Sequence, residues 1–508
     1  MQEPNDLVGL SRRMDSCGIQ RLPAELIYTI FLKNTELDDR EHNRLVTARH
    51  SSPVCRLWRA ILLSTPSFWG QLFDLAYVDR TTDSWRQEIL SRTGDAPLWV
   101  TGRIVQSALP FLQFIMENKW DRVRFVDLET LEELPNQTWS FMGKEAPSLE
   151  WFRIQDFSMQ QEHIQVLPAL FNGVAPRLRA FWPPSWFEFN MTTPCLSNVR
   201  DLTFFPGHTV PVIFSLLKSM PRITRLRIEG NRYVSIRPFH HTDLSKIDLP
   251  LLESLQIRGR HCLTVLSILE HIKPSSPCSL HVGFIKGLHS YDKSSENAGP
   301  PPSTIYDAVL KWHLPYTNKH PPTCVAVEAH QWYSDLVTQV NIWDFDVDFP
   351  TAEARWGVEI ILDTYGRPFV RALAPSFIAV KSLHLRGVHR VQCDLHSLYS
   401  AFPSVTELTI HEGVFEAEAF YTRAGDGEAV LFLLLHTVAV GGDYDGNLQS
   451  VANFLEYRIR IGFPPSILDI SAVYKVYDDP EVVDRLGQMK GLTIIWPTRR
   501  GQEDPRKS

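Results

Sequence analysis

The chain opens with two short stretches whose apolar residues recur at helical spacing. In "LPAELIYTIFL", residues 22–32, Leu26, Ile27, Ile30 and Phe31 form one stripe behind Pro23, a residue tolerated in a first helical turn. In "SPVCRLWRAILLSTPSFW", residues 52–69, Ser52 predicts an N-cap and Pro53 the first helical residue. Val54, Leu57, Trp58, Ile61 and Leu62 then keep the helical period, Pro66 predicts the stop, and Phe68, Trp69 and Leu72 add a further apolar cluster. A unit this small covers only about 60% of the surface its unfolded chain exposes. The surplus apolar surface is expected either to meet a partner or to cap the domain that follows.

After residue 95 a different pattern takes over and recurs: apolar, two residues, apolar, one residue, apolar. It appears as Val123, Val126, Leu128; Leu149, Phe152, Ile154; Val199, Leu202, Phe204; Ile223, Leu226, Ile228; and Leu252, Leu255, Ile257. It returns as Val380, Leu383, Leu385; Val405, Leu408, Ile410; and Leu435, Val438, Val440. Helix-like stretches such as "VPVIFSLLKSM", "CLTVLSILEHIK" and "NLQSVANFLEYRI" lie between them. One short strand and one helix at a period of 20–30 residues is the mark of a stacked repeat array, in which no single unit can bury its own apolar triplet. The period fades from about 285 to 375, where "HSYDKSSENAGPPPST" reads as a looping insertion and "VTQVNIWDF" predicts a strand around Val337, Val340 and Ile342. A mixed α/β domain without a regular array is the other reading of the same pattern.

At 508 residues the chain is long enough for several domains or an array, and 44% apolar with 21% charged residues describes a folded protein. A net charge of −7 argues against a dedicated nucleic-acid binder. The seven cysteines are scattered, with no C-x-x-C pair, as expected of reduced thiols in the cytoplasm or nucleus. The N-terminus has no apolar signal stretch, and the longest greasy run, Ala429 to Val440, is too short to span a membrane. The sequons at Asn136 and Asn190 therefore carry no weight.

The front helices resemble a known family. Leu22-Pro23-x-Glu25-Leu26, then Ile30, then Val54-Cys55-x-x-Trp58-Arg59 looks like the F-box, the motif that docks onto the Skp-type adaptor of cullin-RING ubiquitin ligases. "STPSFWGQL" and "ILSRTGDAPLWV" also resemble segments of F-box proteins from mushroom-forming fungi. The repeats behind them resemble leucine-rich repeats, with Asn231 the one asparagine at the position where regular repeats tie their turns. The resemblance implies an α+β or α/β chain: a small helical F-box followed by an irregular leucine-rich-repeat solenoid. The expected organisation is a disordered N-terminus over 1–18 and an F-box over 19–72 with an inserted loop at about 33–51. A helical linker over 73–96, the solenoid over 97–497 and a disordered tail over 498–508 complete it. It further implies that Leu22, Pro23, Glu25, Leu26, Ile30, Val54, Cys55 and Trp58 face or support the Skp-type adaptor, and that the solenoid holds a protein target for ubiquitination. Without the ligase, the same architecture reads as a protein-binding scaffold capped by its front helices.

In such strands the residues between the apolar ones point away from the core. Those positions include Trp151, Arg153, Arg200, Thr203, Arg225, Arg227, Ser254, Gln256, Ser382, His384, Glu407 and Thr409, with Arg258 and Arg386 at strand ends. Arg and Trp are frequent interface anchors, and Arg suits carboxylate or phosphate. Trp151, Arg153, Arg225, Arg227, Arg258, His384 and Arg386 are therefore the candidate target-binding residues. Motifs for chemistry are missing: no phosphate loop, no nucleophile elbow and no H-E-x-x-H. Asp344, Asp346 and Asp348 begin like a calcium loop, but Phe349 stands where glycine is needed and Arg355 where the bidentate glutamate is needed. His240-His241 has only Asp243 near it in sequence and reads as a polar turn, and Cys55 reads as an inert thiol beside Trp58. The expectation is a non-catalytic protein with no cofactor, no metal, no membrane and no nucleic acid.

Overall fold

A computed structural model describes residues 22–497 apart from 34–43, 79–80, 132–133, 157–164, 168, 184–186, 190–192, 205–209, 230–243, 260–261, 275–276, 285–301, 332–337, 345–356, 362–365, 387–394, 412–429, 442–447 and 474–479. The expected disordered ends, His240-His241, Asp346, Asp348 and Asn231 lie outside the described residues. The fold is mixed α/β with mostly parallel strand pairing, as the repeating pattern implies. It divides into two compact units, residues 1–203 and 204–508. The division falls within the repeat region, and the parallel ladder of the first unit begins at residue 73.

In the first unit, α1 (Ala24–Lys33), α2 (Arg44–Ser51), α3 (Arg56–Leu63), α4 (Pro66–Gly70), α5 (Leu75–Val78), α6 (Asp83–Arg92) and α7 (Leu109–Asn118) accompany the strands. Strands β1 (Phe73–Asp74), β2 (Leu98–Ile104), β3 (Val123–Thr130) and β4 (Trp151–Asp156) pair in that order, all parallel. A separate parallel pair, β5 (Gln165–Leu167) and β7 (Phe187–Phe189), flanks β6 (Ala180–Trp182) in sequence. β6 continues the main ladder from β4 to β8 (Asp201–Phe204).

In the second unit, β9 (Arg225–Glu229) pairs with β11 (Ser254–Gly259) and β11 with β13 (Ser279–Phe284), all parallel, while β10 (Ile247–Leu249) and β12 (Ile272–Pro274) form their own pair. The array then departs from one strand per helix. β14 (Cys324–Gln331), β15 (Thr338–Asp344) and β16 (Gly357–Ile361) make an antiparallel meander, and its last strand, β16, is the one that lies beside β13. β14 pairs onward in parallel with β17 (Ser382–Arg386), followed by β18 (Glu407–Ile410), β19 (Thr437–Val440), β20 (Ile467–Asp469) and β21 (Thr493–Ile495). This meander is the physical reason the period fades between about 285 and 375. Of the expected strand around Val337, Val340 and Ile342, the last two lie in β15, which runs against its neighbours, and Val337 lies outside the described residues. The helices of this unit are α8 (Val210–Lys218), α9 (Cys262–His271), α10 (Pro302–Lys319), α11 (Gly366–Leu373), α12 (His396–Tyr399), α13 (Leu448–Arg460) and α14 (Pro480–Gly487). Among the described residues no helix is long and apolar enough to cross a membrane.

Register explains why the apolar triplet recurs. Leu383 sits between Val325 and Leu408, and Leu385 between Val327 and Ile410; all six are in the core. Before each strand a short turn joins two buried apolar residues, as in Ala175–Leu178, Met220–Ile223, Leu249–Leu252 and Phe377–Val380. The next residue donates its N–H to its counterpart one repeat back. Examples are Glu150 to Arg124 O, Lys381 to Thr323 O, Thr406 to Lys381 O, His436 to Thr406 O and Ser466 to His436 O, each at 2.8 Å. Arg200 occupies this ladder position, donating to Arg179 O at 2.7 Å, so Asp201 rather than Arg200 begins the strand.

Arg458 of α13 is buried and ties that helix to the turn that precedes β19. Its guanidinium donates to Leu431 O at 2.7 Å, Phe432 O at 2.9 Å and Phe463 O at 3.0 Å. Phe432 is held at a left-handed φ of 51°, a conformation that costs a non-glycine residue energy and needs such support. Arg458→Met is expected to destabilise the protein by about 3 kcal/mol, by leaving these carbonyls unpaired. Urea unfolding of the full chain checks it; an unchanged midpoint would contradict the clip.

Candidate functional site

The front helices pack through their inner faces and leave their outer faces bare. Ile27, Phe31, Leu45, Ala48, Leu62, Phe68 and Trp69 are buried. Phe31 meets the Trp58 ring edge-on at 5.0 Å and lies 6.1 Å from Phe68. Trp69, fully buried, donates Nε1–H to Leu62 O at 2.7 Å, and the Arg92 guanidinium lies 4.6 Å from its ring. On the outside, Leu26 is 51% exposed, Ile30 44% and Val54 61%, with Val46, Leu57 and Leu63 also exposed. Such a run of bare aliphatic side chains is unusual on a surface that meets only water.

Three sequence expectations change here. Residues 44–51, read as part of an inserted loop, form α2, whose Arg44, Leu45 and Ala48 are buried. Arg44 holds the helix to the strands: one guanidinium nitrogen donates to Thr101 Oγ1 at 2.8 Å and another to Gln71 O at 3.4 Å. Burial lowers the Arg44 pKa, against the attraction of Asp74 and Asp127. Polar residues at the start of α2 had masked this helix, because its arginine is buried by pairing rather than by apolarity. Second, α3 begins at Arg56 and not at Pro53. Cys55 is its N-cap, extended at φ −155°, its thiol accepting the Trp58 N–H at 3.4 Å. Third, Pro66 opens α4 instead of only stopping α3.

Of the expected docking set, Pro23, Glu25, Leu26, Ile30 and Val54 are exposed, Leu22 and Cys55 are half-buried, and Trp58 supports the others through Phe31. Val46 on α2 and Leu57 and Leu63 on α3 join this surface without having been assigned to it.

The other expected residues lie on the strand faces opposite the core. In the first unit an aromatic row crosses the ladder: Trp99 to Phe125 at 5.0 Å, Phe125 to Trp151 at 5.4 Å and Trp151 to Trp182 at 5.7 Å between ring centroids. Beside it Arg153 pairs with Asp127 at 3.3 Å and lies 4.6 Å from the Trp182 ring. Trp151 and Arg153 are thus brought together, within an aromatic set that sequence alone did not join.

In the second unit the corresponding row runs in register from Arg227 through Gln256, His281, Gly357, Trp343, Ala326 and His384 to Thr409. Arg227 Nε donates to Gln256 Oε1 at 2.7 Å. Arg225 and Arg258 flank this end, while Arg386, in register with Glu328, flanks the other. Gly357 is required by its neighbour: a Cβ there would lie 2.9 Å from the His281 ring. His384 shares a hydrogen bond with His411, Nδ1 to Nε2 at 3.0 Å, and its Nε2 is 3.3 Å from Ser382 Oγ.

The electrostatics of this row follow from burial. Desolvation, then His411 and Arg386, push His384 down to about 4; desolvation, then Arg258 and Arg227, push His281 down to about 4. His313 on α10, fully buried, is pushed down to about 3 by the same effect and by His281. An imidazole held near 4 is too weak a base to activate Ser382 at neutral pH. Burial raises the thiols of Cys195 and Cys278 to about 12, far from nucleophilic. Among the described residues no group of three or more His, Cys, Asp or Glu could hold a metal. The arrangement is suited to holding a ligand through guanidinium, imidazole and indole groups. Compared with known protein families the chain matches none, and no curated protein matches it.

The lowered histidines bind protons less readily in the folded than in the unfolded chain. Their contribution to stability is therefore complete above the unfolded value near 6.5 and is lost as pH falls toward 4. The urea midpoint is expected to drop between pH 7 and pH 4.5, and to drop less steeply in His384→Gln. An equal slope in the variant would contradict the assignment.

Proposed function

We propose that this chain is the substrate-recognition adaptor of a Skp–cullin–F-box ubiquitin ligase. In this reading α1–α3 are an F-box that docks the Skp-type adaptor, and the strand–helix repeats are an irregular leucine-rich-repeat solenoid whose strand face holds a protein target. The observation that carries it is the exposure of Leu26, Ile30 and Val54 on helices whose inner faces are already filled by Ile27, Phe31 and Leu62. A mere cap would turn those side chains inward. The motif order Leu22-Pro23, Glu25-Leu26, Val54-Cys55, Trp58 supports the same reading. An adaptor needs no catalytic group of its own, since holding the target beside the ligase raises the rate by proximity. It works in the cytoplasm or nucleus, where the ligase is found.

The test is co-purification with a Skp-type adaptor, comparing the native chain with Leu26→Asp/Ile30→Asp. Both residues are exposed, so the variant is expected to keep its melting temperature. Burying them stabilises a complex at about 25 cal/mol per Å² of apolar surface, and placing carboxylates there is expected to weaken capture by at least about tenfold. Failure of the folded native chain to capture the adaptor would refute the ligase role and leave a protein-binding scaffold.

A further inference from the structure

The turns that precede the last strands of the second unit carry a row of their own. After the buried Phe377 comes the exposed Ile378; after Phe402 comes Pro403; after Phe432 comes Leu433. Gly462 takes the place of Phe432 one repeat on, both being left-handed at φ 82° and 51°, so Phe463 stands where Leu433 does. Side chains and one guanidinium hold the row together. The Phe377 and Phe402 rings stack at 4.8 Å, the Tyr399 and Phe432 rings lie 6.0 Å apart, and Arg458 donates to both Phe432 O and Phe463 O. Leu434 lies beside Leu433, and Ile459 joins from α13, next to Arg458. Ile378, Leu433, Leu434, Ile459 and Phe463 are each between 39% and 58% exposed. Apolar side chains scattered singly need no partner, but a row of them in successive repeats does. The turn itself does not demand them: in Ala175–Leu178 and Met220–Ile223 the same positions hold Pro176-Arg177 and Pro221-Arg222.

The charge around this row is one-sided. Within three residues of Ile378, Pro403, Leu433 and Phe463 there is no Asp or Glu, in a chain that has 58 of them. The cations there are Lys381 and Arg460, both exposed, and among the described residues neither makes an ion pair. Glu456, one turn back from Arg460 on α13, is taken by Arg485 at 2.7 Å. Lys381 follows Ile378 on the strand side, and Arg460 precedes Phe463 on the helix side. The two cations therefore stand at opposite ends of the row and on opposite flanks.

We propose that this row docks an amphipathic helix of a partner protein, one with an apolar stripe and carboxylates on both flanks. Spacing selects a helix. Neighbouring repeats lie about 4.8 Å apart along the ladder, close to the helical pitch of about 5.4 Å. Alternate side chains of an extended segment recur at about 6.6 Å and would fall out of step. Four repeats span about 14 Å, the length of about three helical turns, so each turn sets an apolar side chain on the row. Charge selects the flanks, with one carboxylate at each end of the helix meeting Lys381 and Arg460. A second copy of this chain fits poorly, because an isologous contact would lay a cationic row on itself. An anionic lipid surface calls for clustered cations, and here two stand about 14 Å apart. The row is separate from the front helices and from the strand face, and the proposal does not depend on the ligase role.

The experiment is fluorescence anisotropy of the full chain with a labelled helix-forming peptide of about four turns. It carries Leu along one face and Glu on both sides of that stripe. Saturable binding is expected that weakens as salt is raised. A peptide of the same composition with its leucines spread around the helix is expected to bind at least about tenfold more weakly. Leu433→Ser/Leu434→Ser is expected to keep its melting temperature, both side chains being exposed, and to lose at least about tenfold in affinity. Ile378→Ser, at the other end of the row, gives the same reading should the double variant unfold. Lys381→Gln/Arg460→Gln is expected to weaken binding about threefold and to flatten its salt dependence. Leu26→Asp/Ile30→Asp is expected to bind the peptide as the native chain does. The proposal is overturned if the peptide does not saturate, if the scrambled peptide binds equally, or if the folded serine variants bind as the native chain does. It is also overturned if the Leu26→Asp/Ile30→Asp chain alone loses the peptide, which would move the site to the front helices. Self-association or binding to anionic vesicles that the serine variants abolish, without peptide binding, would overturn it in favour of a second copy or a lipid surface.

Discussion

Strands of two to eight residues cannot bury their own apolar side chains, so each here depends on a neighbour held in register. The backbone ladder supplies that register. A residue just before many of the strands gives its N–H to the equivalent carbonyl one repeat back, and the apolar residues on either side of it then fall into line with those of the previous strand. Thr323, Lys381, Thr406, His436 and Ser466 form one such line. The core follows from it: Val325, Leu383, Leu408, Val438 and Leu468 succeed one another across β14 and β17–β20. A polar residue on the opposite face is then placed as strictly as an apolar one in the core.

That constraint explains how the array tolerates an antiparallel meander. β14 and β16 both run parallel to the flanking strands β17 and β13, and β15 is the reversed strand between them. Val327 and Ile342 keep the core row continuous through the reversal. The opposite face keeps its row as well, and the insertion brings Trp343 and Gly357 between His281 and His384. That face thus gains its indole from the very segment in which the sequence period is lost.

The front helices obey a different constraint. Their inner side is fixed by aromatic packing of Phe31, Trp58, Phe68 and Trp69, and by one buried arginine, Arg44, that reaches Thr101 on β2. Gly102, next to that threonine, has a φ of +97° and lies so close to Asp74 that a side chain there would overlap its carboxylate. The helices are consequently anchored to the first strands by polar as well as apolar contacts, while Leu26, Ile30 and Val54 are left outward.

By itself the sequence determined the mixed α/β character and the eight apolar triplets, because burial of every third and second residue in a short strand leaves a local pattern. Leu149, Phe152 and Ile154, or Leu435, Val438 and Val440, needed nothing but their own spacing. It also marked exposed apolar residues, since Leu26 and Ile30 exceed what so few helical residues can cover. The strand β6, with Leu178 and Phe181 in the core, escaped notice because its partner positions hold Ala180 and Trp182 and blur the alternation. Helix α2 reads as loop in sequence because its first buried residue is Arg44, and the start of α3 at Arg56 is set by the Cys55 cap, which composition does not reveal. Only the tertiary structure decided which polar residues became neighbours. Trp99, Phe125, Trp151 and Trp182 come from four separate strands, as do Arg227, His281, Trp343 and His384, and their meeting depends on pairing order. That order is a long-range property: strand spacing and ladder register fix it, and no local stretch of sequence encodes it.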